Sequence, residues 1–172
     1  MLNRIISLFK SNKSQPKNTN STNNATNIHG GKYSPTLISG LIHDHKELLN
    51  IAGTIQALYD AKKWSDLSKQ LSIFREKIYA HLITENINLY IYLQRSLKDN
   101  PESLAMMQDL RKEMTGISKA VTAFLTKYTD LENNTDHQQQ FGTEFKGVCE
   151  VLLKRIECEE KTLYPMYAPI PA

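Results

Sequence analysis

Apolar positions recur in alternating steps of four and three over four stretches of this chain, the spacing of one buried helix face. The first stripe is Leu37, Leu41, His45, Leu48, Ala52, Ile55 and Tyr59. The second passes through Leu67, Leu71, Phe74 and Ile78, crosses His81 and Glu85, and continues to Leu89 and Tyr92. The third is Leu104, Met107, Leu110 (or Arg111), Met114, Ile117, Val121, Phe124 and Tyr128. The fourth is Phe141, Phe145, Val148, Leu152, Arg155, Glu159 and Leu163. Start signals precede each stripe: Ser34-Pro35, Ser65, Asn100-Pro101, and the capping-box form Thr135-Asp136-His137-Gln138. Pro165 marks the end of the last. Four amphipathic helices with short joints predict an all-α, up-down-up-down four-helix bundle over residues 34–168.

Ahead of the bundle the pattern disappears. Residues 11–33 are almost wholly Asn, Ser, Thr, Lys, Gln, Pro and Gly, a composition that reads as a disordered polar linker. Before them, Leu2, Ile5, Ile6 and Phe9 share one face of a short amphipathic segment, residues 1–10, with Arg4 and Lys10 beside it. Such a segment suits weak peripheral contact with a membrane or a protein partner, although a frayed terminus is the commoner outcome.

Charge follows the same division. The net charge is +3, but Arg4, Lys10, Lys13, Lys17 and Lys32 give residues 1–34 a charge of +5 without any acid, leaving −2 on the rest. The bundle is therefore near neutral. A basic tail without interleaved aromatics does not predict nucleic-acid binding. At 172 residues and 40% hydrophobic, with seven Gly and six Pro, the chain can build one sizeable helical core. No stretch reaches membrane-spanning length, and the first ten residues are charged too early for a signal peptide, so the expected location is cytoplasmic. Cys149 and Cys158 are nine apart on one predicted helix, on roughly opposite faces, and read as free thiols.

The chemistry lies where polar residues interrupt the apolar stripes. His81 and Glu85 are four apart and leave the same helix face, pointing into the core. Counting ~1.5 Å per residue from each joint places His45, His81, Glu85, Met114, Arg155 and Glu159 in one layer, with Ser118 a turn past Met114. Singly, each has an ordinary role as a bonded core His, a helix ion pair or core filler. Together, two His and two Glu at one height predict a buried metal site or ion cluster. His43 should face away, and His29 and His137 have no predicted partners.

The strings Asp44-His45-Lys46-Glu47-Leu48-Leu49, His81-Leu82-Ile83-Thr84-Glu85 and Arg155-Ile156-Glu157-Cys158-Glu159-Glu160, the last running on to Pro165, resemble the hemerythrin-like (HHE) cation-binding domain over about residues 35–168. The resemblance implies a non-haem di-iron pair inside a four-helix bundle, serving oxygen carriage or sensing, iron handling or stress responses. It makes His45 and His81 ligands of one iron, and Glu85 and Glu159 the bridging carboxylates. Two departures limit it. The family pattern has His where this chain has Met114 and Arg155. Methionine is a soft ligand ill suited to iron, and arginine keeps its charge and cannot coordinate. A complete di-iron centre is therefore not expected. What remains is a two-His, two-Glu site for one Fe²⁺, Mn²⁺ or Zn²⁺, or a metal-free cluster in which Arg155 forks onto Glu85 and Glu159, with Glu160 able to replace Glu159.

The expected function is a non-enzymatic metal-binding or sensory module. A weaker similarity, in Leu48-Leu49 and Phe141 through Glu160, is to the Rsd/AlgQ regulators of the sigma-70 subunit. It implies instead a metal-free regulator that acts by binding a sigma factor or another protein.

Overall fold

The structure is a computed structural model that describes residues 31–170. The amphipathic 1–10 segment and most of the polar linker lie outside the described residues. Four helical rods run up and down. The first is α1 (Leu37–Asp60). The second is α2 (Trp64–Thr84), which passes through a π-helical turn (Glu85–Tyr90) into α3 (Ile91–Ser96). The third is α4 (Pro101–Lys127), and the fourth is α5 (Thr135–Cys158), which ends in a second π-helical turn (Glu159–Leu163) and a 3-10 turn (Tyr164–Met166). Among the described residues there is no strand, and no helix is long and apolar enough to cross a membrane.

The apolar stripes meet in the interior in two clusters. Leu48, Ile55, Leu71, Phe74, Val121, Phe124, Phe141 and Phe145 fill one half of the bundle. Leu41, Leu89, Tyr90, Leu93, Met107, Leu163 and Tyr164 fill the other. The buried polar residues His45, His81, Glu85, Arg155 and Glu159 belong to neither cluster. Cys149 is buried, Cys158 is partly exposed, and both are free. Burial pushes the Cys149 thiol up to about 12.

Helix starts depart from the expected caps by one or two residues in three of four rods. Thr36 rather than Ser34 stands at the N-cap of α1, and its side chain makes no capping bond. Lys63 precedes α2, so Ser65 lies inside the first turn. Asn134 caps α5 by accepting from the His137 amide at 3.1 Å, one residue before the capping-box Thr135. Only Asn100 caps where the pattern placed it, accepting from Ser103 N at 3.1 Å. Ser, Thr and Asn compete for these positions by the same backbone bond, so pattern alone locates a start only to within a residue or two.

The α1–α2 joint sets the register of the site. Lys62 N–H donates to Tyr59 O at 2.9 Å and Lys63 N–H to Leu58 O at 3.0 Å, the paired bonds of a Schellman stop. That motif needs a left-handed residue, and Lys62 takes it at φ 55° without being glycine. A reversal this short leaves His45 and His81 at nearly the same height above the joint, with ring centroids 4.7 Å apart.

Candidate metal centre

Rods one, two and four each place buried polar side chains at this level. His45 from α1 and His81 from α2 face Glu85 and Glu159, which open the two π-helical turns. One nitrogen of His45, one of His81 and one oxygen of Glu159 lie within 4.8 Å of one another. Met114 from α4 lines a cavity with these three residues. Ser118 is partly exposed and bonds to none of them.

His45 has a carboxylate on either side. Its Nε2 is 3.2 Å from Glu159 Oε2, and its Nδ1 is 2.9 Å from Glu160 Oε1. Glu160 thus joins the cluster through the opposite edge of the ring, not in place of Glu159. A neutral imidazole has one N–H, so only imidazolium donates to both acids at once. Burial alone would lower the His45 pKa, but the bonds to Glu159 and Glu160 outweigh it and hold the pKa above its ordinary value. The Nδ1 of His81 has a counterpart in Asp44, whose Oδ2 is 3.5 Å away, yet it makes no hydrogen bond.

Arg155 is almost fully buried, and its contacts correct the expected fork. Nε donates to Glu159 Oε1 at 2.6 Å, NH2 to the Tyr90 hydroxyl at 2.8 Å, and NH1 to Leu110 O at 3.1 Å, with Glu113 Oε2 at 3.5 Å. It pairs with one core carboxylate, not two. Glu85 is served instead by Tyr164, whose hydroxyl donates to Glu85 Oε1 at 3.0 Å and lies 3.2 Å from His45 Nε2. The second oxygen, Glu85 Oε2, is buried without a hydrogen-bond partner and sits 3.8 Å from His81 Nε2.

The two glutamates are electrostatically unequal. Burial, followed by the neighbouring charge of Glu159, raises the Glu85 carboxyl to about 7. Glu159 is just as buried, but its bonds to His45 and Arg155 overcome that penalty and hold it below the usual value. The charge of Glu159 is already answered by hydrogen-bonded His45 and Arg155, whereas Glu85 has only a phenol in hydrogen-bond contact and His81 Nε2 farther off at 3.8 Å.

Periodicity did not reveal Tyr90 and Tyr164, for a geometric reason. Tyr90 follows Glu85 by five residues, and Tyr164 follows Glu159 by five. Residues five apart on an α-helix diverge by roughly 140°, which predicts outward-facing rings. Each π-helical turn spreads one turn over more residues and rotates its tyrosine back toward the carboxylate face. Asp44 and Glu113 were also missed, because they sit at the rim of the interior faces. The one available signal was a His-adjacent carboxylate, Asp44-His45.

The other histidines stand apart. His43 is exposed, 3.7 Å from Glu47. His137 does have a partner, with Nδ1 2.6 Å from Asp130 Oδ1. His29 lies outside the described residues.

The donor set fits one divalent cation and does not fit two. His45, His81 and Glu159 form a compact set suited to Fe²⁺, Mn²⁺ or Zn²⁺, and Glu85 Oε2, outside that set but 3.8 Å from His81 Nε2, is a buried oxygen without a hydrogen bond. Arg155 takes Glu159 Oε1, and Met114 supplies only a thioether, so the buried side chains described at this level offer no further ligand for a second ion.

The family model for the hemerythrin HHE cation-binding domain matches residues 36–167. No curated protein and no solved structure matches the chain significantly.

Proposed function

This chain belongs to the hemerythrin HHE cation-binding domain family, and on that premise we propose that it holds one divalent cation, of which Fe²⁺ is the first choice, and acts as a non-enzymatic sensory or regulatory module. His45, His81, Glu85 and Glu159 are the ligands. The observation that carries this reading is the unpaired Glu85 Oε2 beside His45, His81 and Glu159, whose donor atoms fall within 4.8 Å.

Each residue has a distinct task. Glu160 holds the outer edge of His45 and Asp44 stands behind His81, so each ring can present its Nε2 inward. Arg155 fixes Glu159 through Oε1 and leaves Oε2 facing the histidines. Tyr164 holds Glu85 through Oε1 and leaves Oε2 free. Loading requires the proton on His45 Nε2 to leave, and Glu85 to be ionised. A bound cation supplies an electrophilic centre, redox-active in the case of iron. Proton release on loading provides an output that the rest of the bundle can register.

A second reading is favoured by the same network. His45⁺ between Glu159 and Glu160, with Arg155 on Glu159, is a nearly complete ion cluster that stands without metal. In that reading the bundle is an interaction regulator, with a protein partner such as a sigma factor, and the cluster is structural.

Elemental analysis of protein produced with iron supplementation separates the two. One equivalent in the wild type, lost in His81→Ala, supports the cation site. No metal in either protein rejects it in favour of the second reading.

A further inference from the structure

The rods do not close evenly. α1 packs closely along α2 and more sparsely on α5. At the lower end of the α1–α5 seam a Cβ on Gly142 would come within 2.5 Å of the Tyr59 ring, so these helices touch there. Higher up they part around a cavity of about 540 Å³. Small residues account for the gap, since Ala52, Gly53, Ala57 and Cys149 all line it. Native interiors are close-packed, and a void of this size falls in the range of small-molecule pockets.

The cavity is long and chemically polarised. Its α1 lining runs from His45 to Ala57, roughly 18 Å of helix. His45, Lys46, His81 and Glu159 gather at one end, whereas Leu48, Leu49, Phe74, Leu152, Leu153 and Ile156 give the walls their apolar character. Glu159 is the sole acidic residue in the lining, and Arg155 already neutralises it at 2.6 Å. Lys46 is exposed at the polar end, and no ion pair engages its ammonium among the described residues. His45 faces Glu160 as well as Glu159, and Asp44 stands 3.5 Å from His81, so the charge at that end left without a partner among the described residues is the Lys46 ammonium. A neutral apolar guest would leave that ammonium unanswered, and a cationic head would be repelled by it.

We propose that the α1–α5 cavity binds an anionic amphiphile of the alkyl carboxylate class, its head group on Lys46 at the rim and its chain running past Ala52 and Leu152 towards Ala57. The cavity's polar end borders the cation ligands His45, His81 and Glu159, but the anchoring charge is Lys46, so binding does not require a cation.

The test is calorimetric titration of the full chain, both chelator-treated and Mn²⁺-loaded, with dodecanoate below its micelle concentration. Dodecanol and dodecyltrimethylammonium serve as neutral and cationic controls. One saturable dodecanoate site is expected, with dodecanol about tenfold weaker and the ammonium weaker still. Lys46→Met should weaken dodecanoate about three- to fivefold and leave dodecanol unchanged. Ala52→Phe, which fills the cavity, should weaken both by about tenfold or more. Leu153→Trp repeats that test should Ala52→Phe melt early. Manganese content, measured on the same samples, reports separately on the cation site. The proposal is overturned by the lack of a saturable dodecanoate site in either form. Equal affinity for the acid and the alcohol overturns it, as does unchanged binding in a folded cavity-filling variant.

Discussion

The Tyr164 hydroxyl, carried by the fourth rod, donates to Glu85 of the second at 3.0 Å, across the centre of the bundle. The reverse link also exists. Tyr90 of the second rod accepts from Arg155, which in turn holds Glu159 of the fourth. Each carboxylate at the head of a π-helical turn is thus oriented from the opposite rod, directly in one case and through a guanidinium in the other. Burial keeps both phenols protonated, their pKa values raised above the ordinary range, so both remain neutral hydrogen-bonding groups.

Tyr164→Phe removes the one side-chain hydrogen bond that Glu85 accepts among the described residues and leaves both its oxygens without one. The metal-free variant should lose roughly 1–3 kcal/mol of stability in urea unfolding. Saturating cation should recover much of that loss, because the ion supplies the missing partner. An unchanged urea midpoint in the chelator-treated variant would refute the assigned role.

Arg155→Met strands Glu159 Oε1 and vacates four polar contacts at once. Breaking a buried pair from one side typically costs about 3–5 kcal/mol, and that is the loss expected in chemical denaturation. Arg155→Lys should recover little of it, because one ammonium cannot reach Tyr90, Leu110 and Glu159 together with a guanidinium's fork. Near wild-type stability for the Lys variant would show that charge alone matters.

Glu160→Gln removes the carboxylate behind His45 Nδ1 while preserving its shape. Partners of this kind orient the ring and raise its basicity, so cation affinity should fall about 10- to 100-fold. The stoichiometry should remain one. Competition with a chelating dye measures both, and unaltered affinity would exclude Glu160 from the site.

The pH dependence follows from three shifts whose signs differ. Glu85 rises from 4.5 to about 7, so the folded protein binds the extra proton and its stability falls as pH climbs through that window. His45 is raised above 6.5; its contribution is complete below 6.5 and disappears as pH rises through the folded value. Glu159 is lowered from 4.5; its contribution is present above 4.5 and lost as pH falls through the folded value. The metal-free melting temperature should therefore be highest near pH 4.5, decline as pH rises towards 7 with Glu85, and fall further as His45 loses its proton. Cation affinity should run the other way, rising with pH as His45 and Glu85 release their protons. Scanning calorimetry across pH, with and without Mn²⁺, checks both trends. A metal-free profile that climbs steadily into alkaline pH would contradict the assignment.

Much of this arrangement is legible in the sequence. Leu41, Leu48, Ile55, Phe74, Ile78, Met107, Phe124, Phe141 and Phe145 are buried where a 3.6-residue period places them, because apolar burial is a one-dimensional pattern on a regular helix. Equal path lengths from a tight joint brought His45 and His81 to one level for the same reason. The sequence by itself thus determined four rods, their buried faces and the depth of the polar layer. Which group bonds which carboxylate was decided only in three dimensions. The π-helical turns rotate Tyr90 and Tyr164 inward, divert Arg155 onto one glutamate and leave Glu85 to Tyr164. Those turns break the regular rise and rotation on which any reading from spacing depends, so no periodicity could have foretold the partners they select.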